Sequence, residues 1–384
     1  MNEYKVYQPQ YFKKFHCTGS ECKDNCCHNW VINIDEATYD KYMSLDEEAR
    51  KEFTNKIEVT GKDPFNAKMI LDENRNCRFL DDRGLCSIHA RYGHEYLSHT
   101  CRAYPRKFCN VAGETEAFLG LSCEVAAKII LLEQSIMRFE NGSIKTDGQL
   151  FPDKVLDVEK YASVANAAEV FWKLRTASIV IVQSRQYRLS ARMLILGMFI
   201  NQAAELLSAG RFDEIAGLSE KYLERLDSNS FSLLIEQALS SDDLDIKFLL
   251  GLLRDMGGKL NKKYDQIMEQ ACDALGISPG GEIPDSFNKD FKSFYEMYFA
   301  DNEYIIENYV VSHIFSDGFP FNYNYEDSIM KNYKELLVKY NLVKVLLVGI
   351  SRRNMKFDKR RVVECISSFS RAYDHHIGGA LIMK

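Results

Sequence analysis

The sequence predicts a mainly α fold: a small, irregular, cysteine-rich metal-binding domain over residues 1–125, then an all-helical domain over residues 126–384, with a linker around 140–153. Three observations predict it. Nine of the eleven cysteines fall between Cys17 and Cys123. The elements in that region read as short, and from Asp153 onward apolar residues recur at helical spacing. With 384 residues, 46% hydrophobic and 27% charged, the chain is long enough to bury a large core and ordinary in composition for a globular protein.

Along the chain, the first fifteen residues are polar and aromatic, without the apolar stretch of a signal peptide. The run MLILGMFI from Met193 is far too short to cross a bilayer. The expectation is a cytoplasmic protein with reduced thiols and no membrane insertion. WVINI, from Trp30, alternates like a short strand, and Ser44 with Glu47 forms a capping box before LDEEARKEF. AKMIL and CRFL suggest a hairpin leading into a helix near Cys86. EAFLGL is a further strand, and Ser122 reads as the N-cap of one long helix, CEVAAKIILLEQSIMRF.

Ten helical segments follow, among them SARMLILGMFINQAAELL, NSFSLLIEQAL, DIKFLLGLLRDM, NEYIIENYVVSHIF and KRRVVECISSFSRAY, with GISPGGEIPDS as a loop and no fixed repeat period. A net charge of -6 argues against nucleic acid as a partner. The basic run RRNMKFDKRR, from Arg352, reads as a solvated turn and helix start.

The thiols carry the chemistry. Their spacing is Cys17-x4-Cys22-x3-Cys26-Cys27, then Cys77-x8-Cys86, then Cys101, Cys109 and Cys123. Zinc sites favour C-x2-C knuckles, and there is none. Iron–sulfur clusters take four thiolates at more varied spacings, so they fit better, with zinc as the alternative metal. Adjacent Cys26 and Cys27 should point apart and so serve different irons, different sites, or packing. The centre is then either a structural staple for a loop-rich domain or a reactive site. His16, His28 and His89 read as supporting or surface groups. Cys272 and Cys365, in helical apolar context, read as core.

In HTCRAYPRKF, Pro105 holds Tyr104 extended and sets Arg102 and Arg106 beside Cys101. The arginines either neutralise an anionic centre, grip a carboxylate, or form surface ion pairs. The aromatic, acidic stretch from Phe294 to Phe315 either receives a lysine side chain, drawn by Glu307, or is core with Glu307 in an internal salt bridge. No strand–GxGxxG–helix unit exists. Cys22 and Cys26 open a C-x3-C-x2-C pattern that fails at Asn29.

The stretches FHCTGSECKDNCCHNWVINID, NCRFLDDRGLCSIHARYG, LSHTCRAYPRKF and EAFLGLSCEVAAKI, with IIENYVVSHIFSDGFPF later, resemble the flagellin lysine-N-methylases. The resemblance spans most of the chain and is sharpest in the first third. Glu124 follows Cys123 here without the family's intervening proline. The matching thiols are Cys17, Cys22, Cys26, Cys27, Cys77, Cys86, Cys101 and Cys123; Cys109 stands outside the pattern.

The resemblance implies methyl transfer from S-adenosylmethionine to lysines of flagellin, or another lysine-bearing protein, with a [4Fe-4S] cluster. Tyr104, Glu307 and Tyr309 are the catalytic candidates, and Arg102 and Asn308 stand on the cofactor side. The expected site is a seam where Tyr104 and Arg102 face the helix carrying Glu307, Asn308 and Tyr309. The alternative is a non-enzymatic metal-cluster protein that senses redox state or binds a partner.

Overall fold

The computed structural model describes residues 2–22, 24, 26–28, 30–62, 65–146, 150–161, 166–232, 235, 249, 251, 262–277, 282–323 and 328–376. Helices predominate, as expected, but the first part of the chain is more ordered than its sequence suggested. It contributes to two sheets. The larger has the order β7-β1-β6-β5-β8. Here Asn2–Pro9 (β1) pairs antiparallel with Phe139–Thr146 (β7) and parallel with Glu114–Leu119 (β6). Arg106–Val111 (β5) pairs antiparallel with β6 and parallel with Lys154–Leu156 (β8). The turn between β5 and β6 has φ of 51° at Ala112 and 85° at Gly113, positive at both central positions as a tight hairpin of this hand requires.

The smaller sheet, Asn33–Ile34 (β2), Phe65–Met69 (β4) and Ile57–Lys62 (β3), carries a separate small core around Ile34, Tyr42, Phe53 and Phe79. It is flanked by Glu36–Met43 (α1) and Glu47–Lys56 (α2). The capping box expected at Ser44 is not formed. Asp46 caps α2, accepting from the Ala49 N–H at 2.9 Å, while Ser44 ends α1 and donates to the Lys41 carbonyl at 2.8 Å. Two short helices follow, Ser87–Tyr92 (α3) and His99–Ala103 (α4).

Everything else shares one large core, which runs from Val6 in β1 to Tyr373 near the end. The two cores therefore divide the chain elsewhere than at residue 125. The supposed linker residues 140–146 are strand, paired with β1. The long helix expected from Cys123 is Glu124–Leu131 (α5) only. Its N-cap is Cys123, not Ser122, and its end is fixed by Asn308, whose Nδ2 donates to the carbonyls of Ile130 at 3.1 Å and Glu133 at 2.7 Å.

The helical part comprises Ala167–Gln183 (α6), Leu189–Ser208 (α7), Glu214–Asp227 (α8), Lys262–Ala274 (α9), Phe287–Phe299 (α10), Glu303–Ser316 (α11), Ile329–Arg353 (α12) and Lys359–His376 (α13). Most of the expected NSFSLLIEQAL and DIKFLLGLLRDM helices, and residues 278–281 of the loop, lie outside the described residues. Every residue of α11 from Tyr304 to Phe315 is buried, as for a helix apolar on all faces. Helix α12 packs on α7, α9, α10, α11 and α13. Arg175 of α6 is buried against Glu116 of β6 and lies over the Trp172 ring at 4.4 Å, joining sheet to helices. The basic run is a turn and helix start, as predicted, between Arg353 and Lys359.

Helix α9 crosses α12 closely at Gly349, where an added Cβ would stand 2.6 Å from the Ala271 carbonyl oxygen. The obstacle is backbone, which cannot swing aside. Gly349→Ala is expected to destabilise the protein by about 1–3 kcal/mol in urea unfolding, despite alanine's better helix propensity.

Candidate functional site

The thiols gather where the two cores meet. Cys77 is buried in the small core, and Cys27, Cys86 and Cys101 pack against it. Cys123 packs on the large core, within electrostatic reach of Cys22 and Cys26. Cys26 also influences Cys77, Cys86 and Cys101, so it stands between the two groups. The loop is fastened by the Trp30 indole N–H, donating to the Cys26 carbonyl at 2.6 Å, and by the Cys77 N–H, donating to the Cys27 carbonyl at 2.7 Å.

The expected divergence of Cys26 and Cys27 is not found. The backbone bends at both, and the Cys27 thiol donates to the Cys26 sulfur, which lowers the pKa of Cys26 and raises that of Cys27. Burial pushes the Cys77 and Cys123 thiols up to about 11 and Cys101 up to about 12. A coordinating thiol is deprotonated outright, so a bound cation would reverse this. Of the eight pattern thiols only Cys17 is exposed, and the set fits a thiolate-held centre in number and kind of donor. Among the described residues no three Cys, His, Asp or Glu side chains converge in metal-ligating geometry. Cys365 is core, as expected, and Cys272 packs against it. His16 and His89 are exposed.

Arg371 of α13, 4% exposed, clamps this loop to the helical part. It donates to Asp24 at 2.7 Å and to the Ser122 carbonyl at 3.0 Å, and lies 2.6 Å from the His28 Nε2. Lys263 of α9 reaches Asp24 at 3.3 Å and Glu364 at 3.2 Å. Burial alone would raise the Asp24 carboxyl, but His28, Arg371 and Lys263 hold it well below the usual range. Tyr104 lies beside the same loop, its hydroxyl 3.2 Å from the Ser122 Oγ and its ring 5.3 Å from Trp30. Arg102, on α4, has no ion pair among the described residues.

The other candidates lie elsewhere. Glu307 is fully buried, and both carboxylate oxygens are engaged: Arg185 donates to Oε1 at 2.8 Å and Arg192 to Oε2 at 2.5 Å. Of the two readings of Glu307, the internal salt bridge is the one that is formed. Asn308 ends α5, though among the described residues its Oδ1 has no partner, and it borders a cavity of about 310 Å³. Tyr309 is buried, its ring 4.6 Å from that of His313. The expected facing of Tyr104 and Arg102 onto Glu307 does not occur, because Tyr104 packs on Trp30 while Glu307 turns towards Arg185 and Arg192.

A larger cavity, about 650 Å³, lies between the sheet and the helices. Lys107 and Cys109 of β5 and Phe118 of β6 border it on one side; Ser312 and His313 of α11, Lys339 of α12 and Tyr373 of α13 on the other. The His313 Nδ1 is 3.0 Å from the Asp317 Oδ2, which also accepts from Lys339 at 2.9 Å. Burial would raise the Asp317 carboxyl, but Lys339 and His313 hold it well below the usual range. It therefore acts as an acceptor, and Nδ1 carries the proton between them.

A family profile described as the FliB lysine N-methylase C-terminal domain matches residues 175–378. The chain belongs to the FliB lysine N-methylase family. It is 34% identical over 134 residues to the lysine-N-methylases of Salmonella typhimurium and Salmonella choleraesuis, a match covering 34% of this chain and 33% of each relative. The aligned stretch thus spans about a third of the length of these curated relatives. A match of the same identity and length to the flagellar biosynthetic protein FliU of Salmonella muenchen covers 79% of that protein. No solved structure matches.

The FliB profile covers α7 through α13 and so includes the Arg371 clamp and the helical side of the large cavity. Sequence reasoning passed over Asp24, Arg371, His313, Asp317 and Lys339. The one local signal was His313 four residues before Asp317, a spacing that puts both on one helix face. No helix among the described residues is long and apolar enough to cross a membrane.

Proposed function

We propose that the chain is a protein lysine N-methyltransferase acting on flagellin, with S-adenosylmethionine as the methyl donor and a [4Fe-4S] cluster held by its thiols. The observation that carries this reading is the Arg371 clamp. It joins a helix inside the FliB-matched region to the cysteine loop, so that the two form one site. Cys22, Cys26 and Cys123 are the three thiols best placed to hold the cluster beside Arg371 and Tyr104, which would leave one iron without a thiolate. Cys27, Cys77, Cys86 and Cys101 then brace the small core. The cluster would supply an iron able to bind the amino and carboxylate groups of the donor. Arg371 and Arg102 offer positive charge against an anionic centre. The reaction needs no radical: a neutral lysine amine attacks the sulfonium methyl, the carbon–sulfur bond breaks, and S-adenosylhomocysteine leaves.

Anaerobic purification followed by iron, sulfide and zinc analysis tests the metal, and the mass of flagellin incubated with S-adenosylmethionine tests the transfer. A brown protein with iron and sulfide is expected. Cys22→Ser or Cys26→Ser should lose the iron and lower stability, because ligands hold a loop-rich region together. Cys272→Ser and Cys365→Ser should keep it. Colourless protein with stoichiometric zinc would overturn the iron–sulfur assignment, and flagellin of unchanged mass the transfer.

A further inference from the structure

His313 is 5% exposed on the buried helix α11, borders the 650 Å³ cavity, and its Nε2 has no hydrogen-bond partner among the described residues. The ring is held from two sides, by Asp317 at Nδ1 and by Tyr309, which meets it edge-on. Lys339 fixes Asp317 in turn. An imidazole with a carboxylate at Nδ1–H presents its lone pair at Nε2, which is the arrangement of a histidine–carboxylate base. A buried nitrogen of this kind wants a donor, and no described residue supplies one.

We propose that His313 is the general base of lysine methylation, and that the cavity receives the acceptor lysine beside it. This rests on the methyltransferase reading above. The lining suits an amine that must lose a proton. Lys107, Lys154 and Lys331 border the cavity with Lys339, against Asp153, Glu335 and the already engaged Asp317. Neighbouring ammonium groups disfavour a further one, drawing the acceptor below the ordinary lysine value of about 10.4. Phe118, Phe319 and Tyr323 offer apolar surface for its methylenes. The cavity also adjoins the thiol loop. Leu121 borders it and Cys123 follows two residues later, within about 7 Å of chain.

In the step itself, Nε2 takes a proton from the acceptor ammonium. The freed nitrogen lone pair forms the N–C bond as the C–S bond breaks, and that electron pair stays on sulfur. The donor leaves as a neutral thioether, and the positive charge moves to the methylated amine. The imidazolium then returns its proton to water.

His313→Gln keeps the size and polarity and removes the base; Asp317→Asn removes the group that orients it. Each is expected to slow methylation of purified flagellin at pH 7.5 by about 10²–10⁴-fold, the usual share of a positioned base, with donor binding and iron content unchanged. The deficit in His313→Gln should shrink towards pH 10, as the acceptor amine loses its proton unaided. A merely structural role would not produce that pH dependence.

The profile must be read against the other titratable groups that contact the ring or line the cavity. These are Asp317 and Tyr309 on its own helix; Lys331, Glu335 and Lys339 on α12; and Tyr373 on α13. Lys107 and Cys109 on β5, with Asp153, Lys154 and Tyr323 beside them, complete the set. A folded variant of either kind with the wild-type rate at pH 7.5 overturns the assignment. Should both variants unfold, the wild-type profile decides: a rate rising only with the free-lysine value near 10.4 means that no base acts. A wild-type protein that transfers no methyl group defeats the reading on which the assignment rests, and the assignment with it.

Discussion

Glu307→Gln is expected to lower the unfolding free energy by about 3–5 kcal/mol, the range for removing one partner from a buried charge pair. Arg192 is 2% exposed and Glu307 is fully buried, and the guanidinium cannot shed its proton. The variant leaves Arg192 with the Val182 carbonyl at 2.6 Å and an ion pair to Glu303 that, at 3.4 Å, is longer than the 2.5 Å contact to Glu307 it loses. Arg185, which also donates to the Gln134 carbonyl at 2.6 Å, loses its counter-ion as well. Urea unfolding measures the loss directly. Any iron that the wild type retains should be kept at temperatures where the variant is folded, and any methylation that the wild type shows should fall only with the folded fraction. A variant of wild-type stability that no longer methylates would return Glu307 to the substrate.

The same residue shows what was legible in the sequence. An acidic group in an aromatic run suggests a cation trap. Yet α11 is buried on every face, so a charge such as that of Glu307 needs a partner inside the protein. The partners, Arg185 and Arg192, lie 122 and 115 residues away, where no local pattern points to them. The larger sheet was hidden for a similar reason. β1 takes its antiparallel partner from residues 139–146, which follow the helix expected from Cys123 and read as linker. Helix α5 stops at Leu131 because Asn308, far along the chain, takes its last carbonyls. What local chemistry does fix was readable: the thiol pattern, the β6 strand, the turn at 354–358, and the periodic helices. His313 was missed because a lone histidine in an apolar helix looks like core until the cavity beside it is seen.

The largest loss in the site itself is expected from Arg371→Leu. The guanidinium joins α13 to Asp24, His28 and the Ser122 carbonyl, contacts up to 347 residues apart in sequence. Without it Asp24, whose side chain is 9% exposed, keeps only His28 at 3.4 Å and Lys263 at 3.3 Å, and the Ser122 carbonyl loses its donor. The cost should again be about 3–5 kcal/mol, because one buried charge is left under-compensated. The loop between Cys22 and Cys27 would also be released from α13, so any iron that the wild type retains should be lost more readily although no thiol is touched. Asp24→Asn alone should cost less than Arg371→Leu, since an amide can still accept from the guanidinium. The double variant should be more stable than the sum of the single losses implies, with a coupling of about 0.5–3 kcal/mol. Four urea curves and four iron determinations complete the cycle. If Arg371→Leu keeps its iron and loses less than about 1 kcal/mol, the clamp is an ordinary surface pair in effect. The cysteine loop is then held by its own backbone and by the thiols alone.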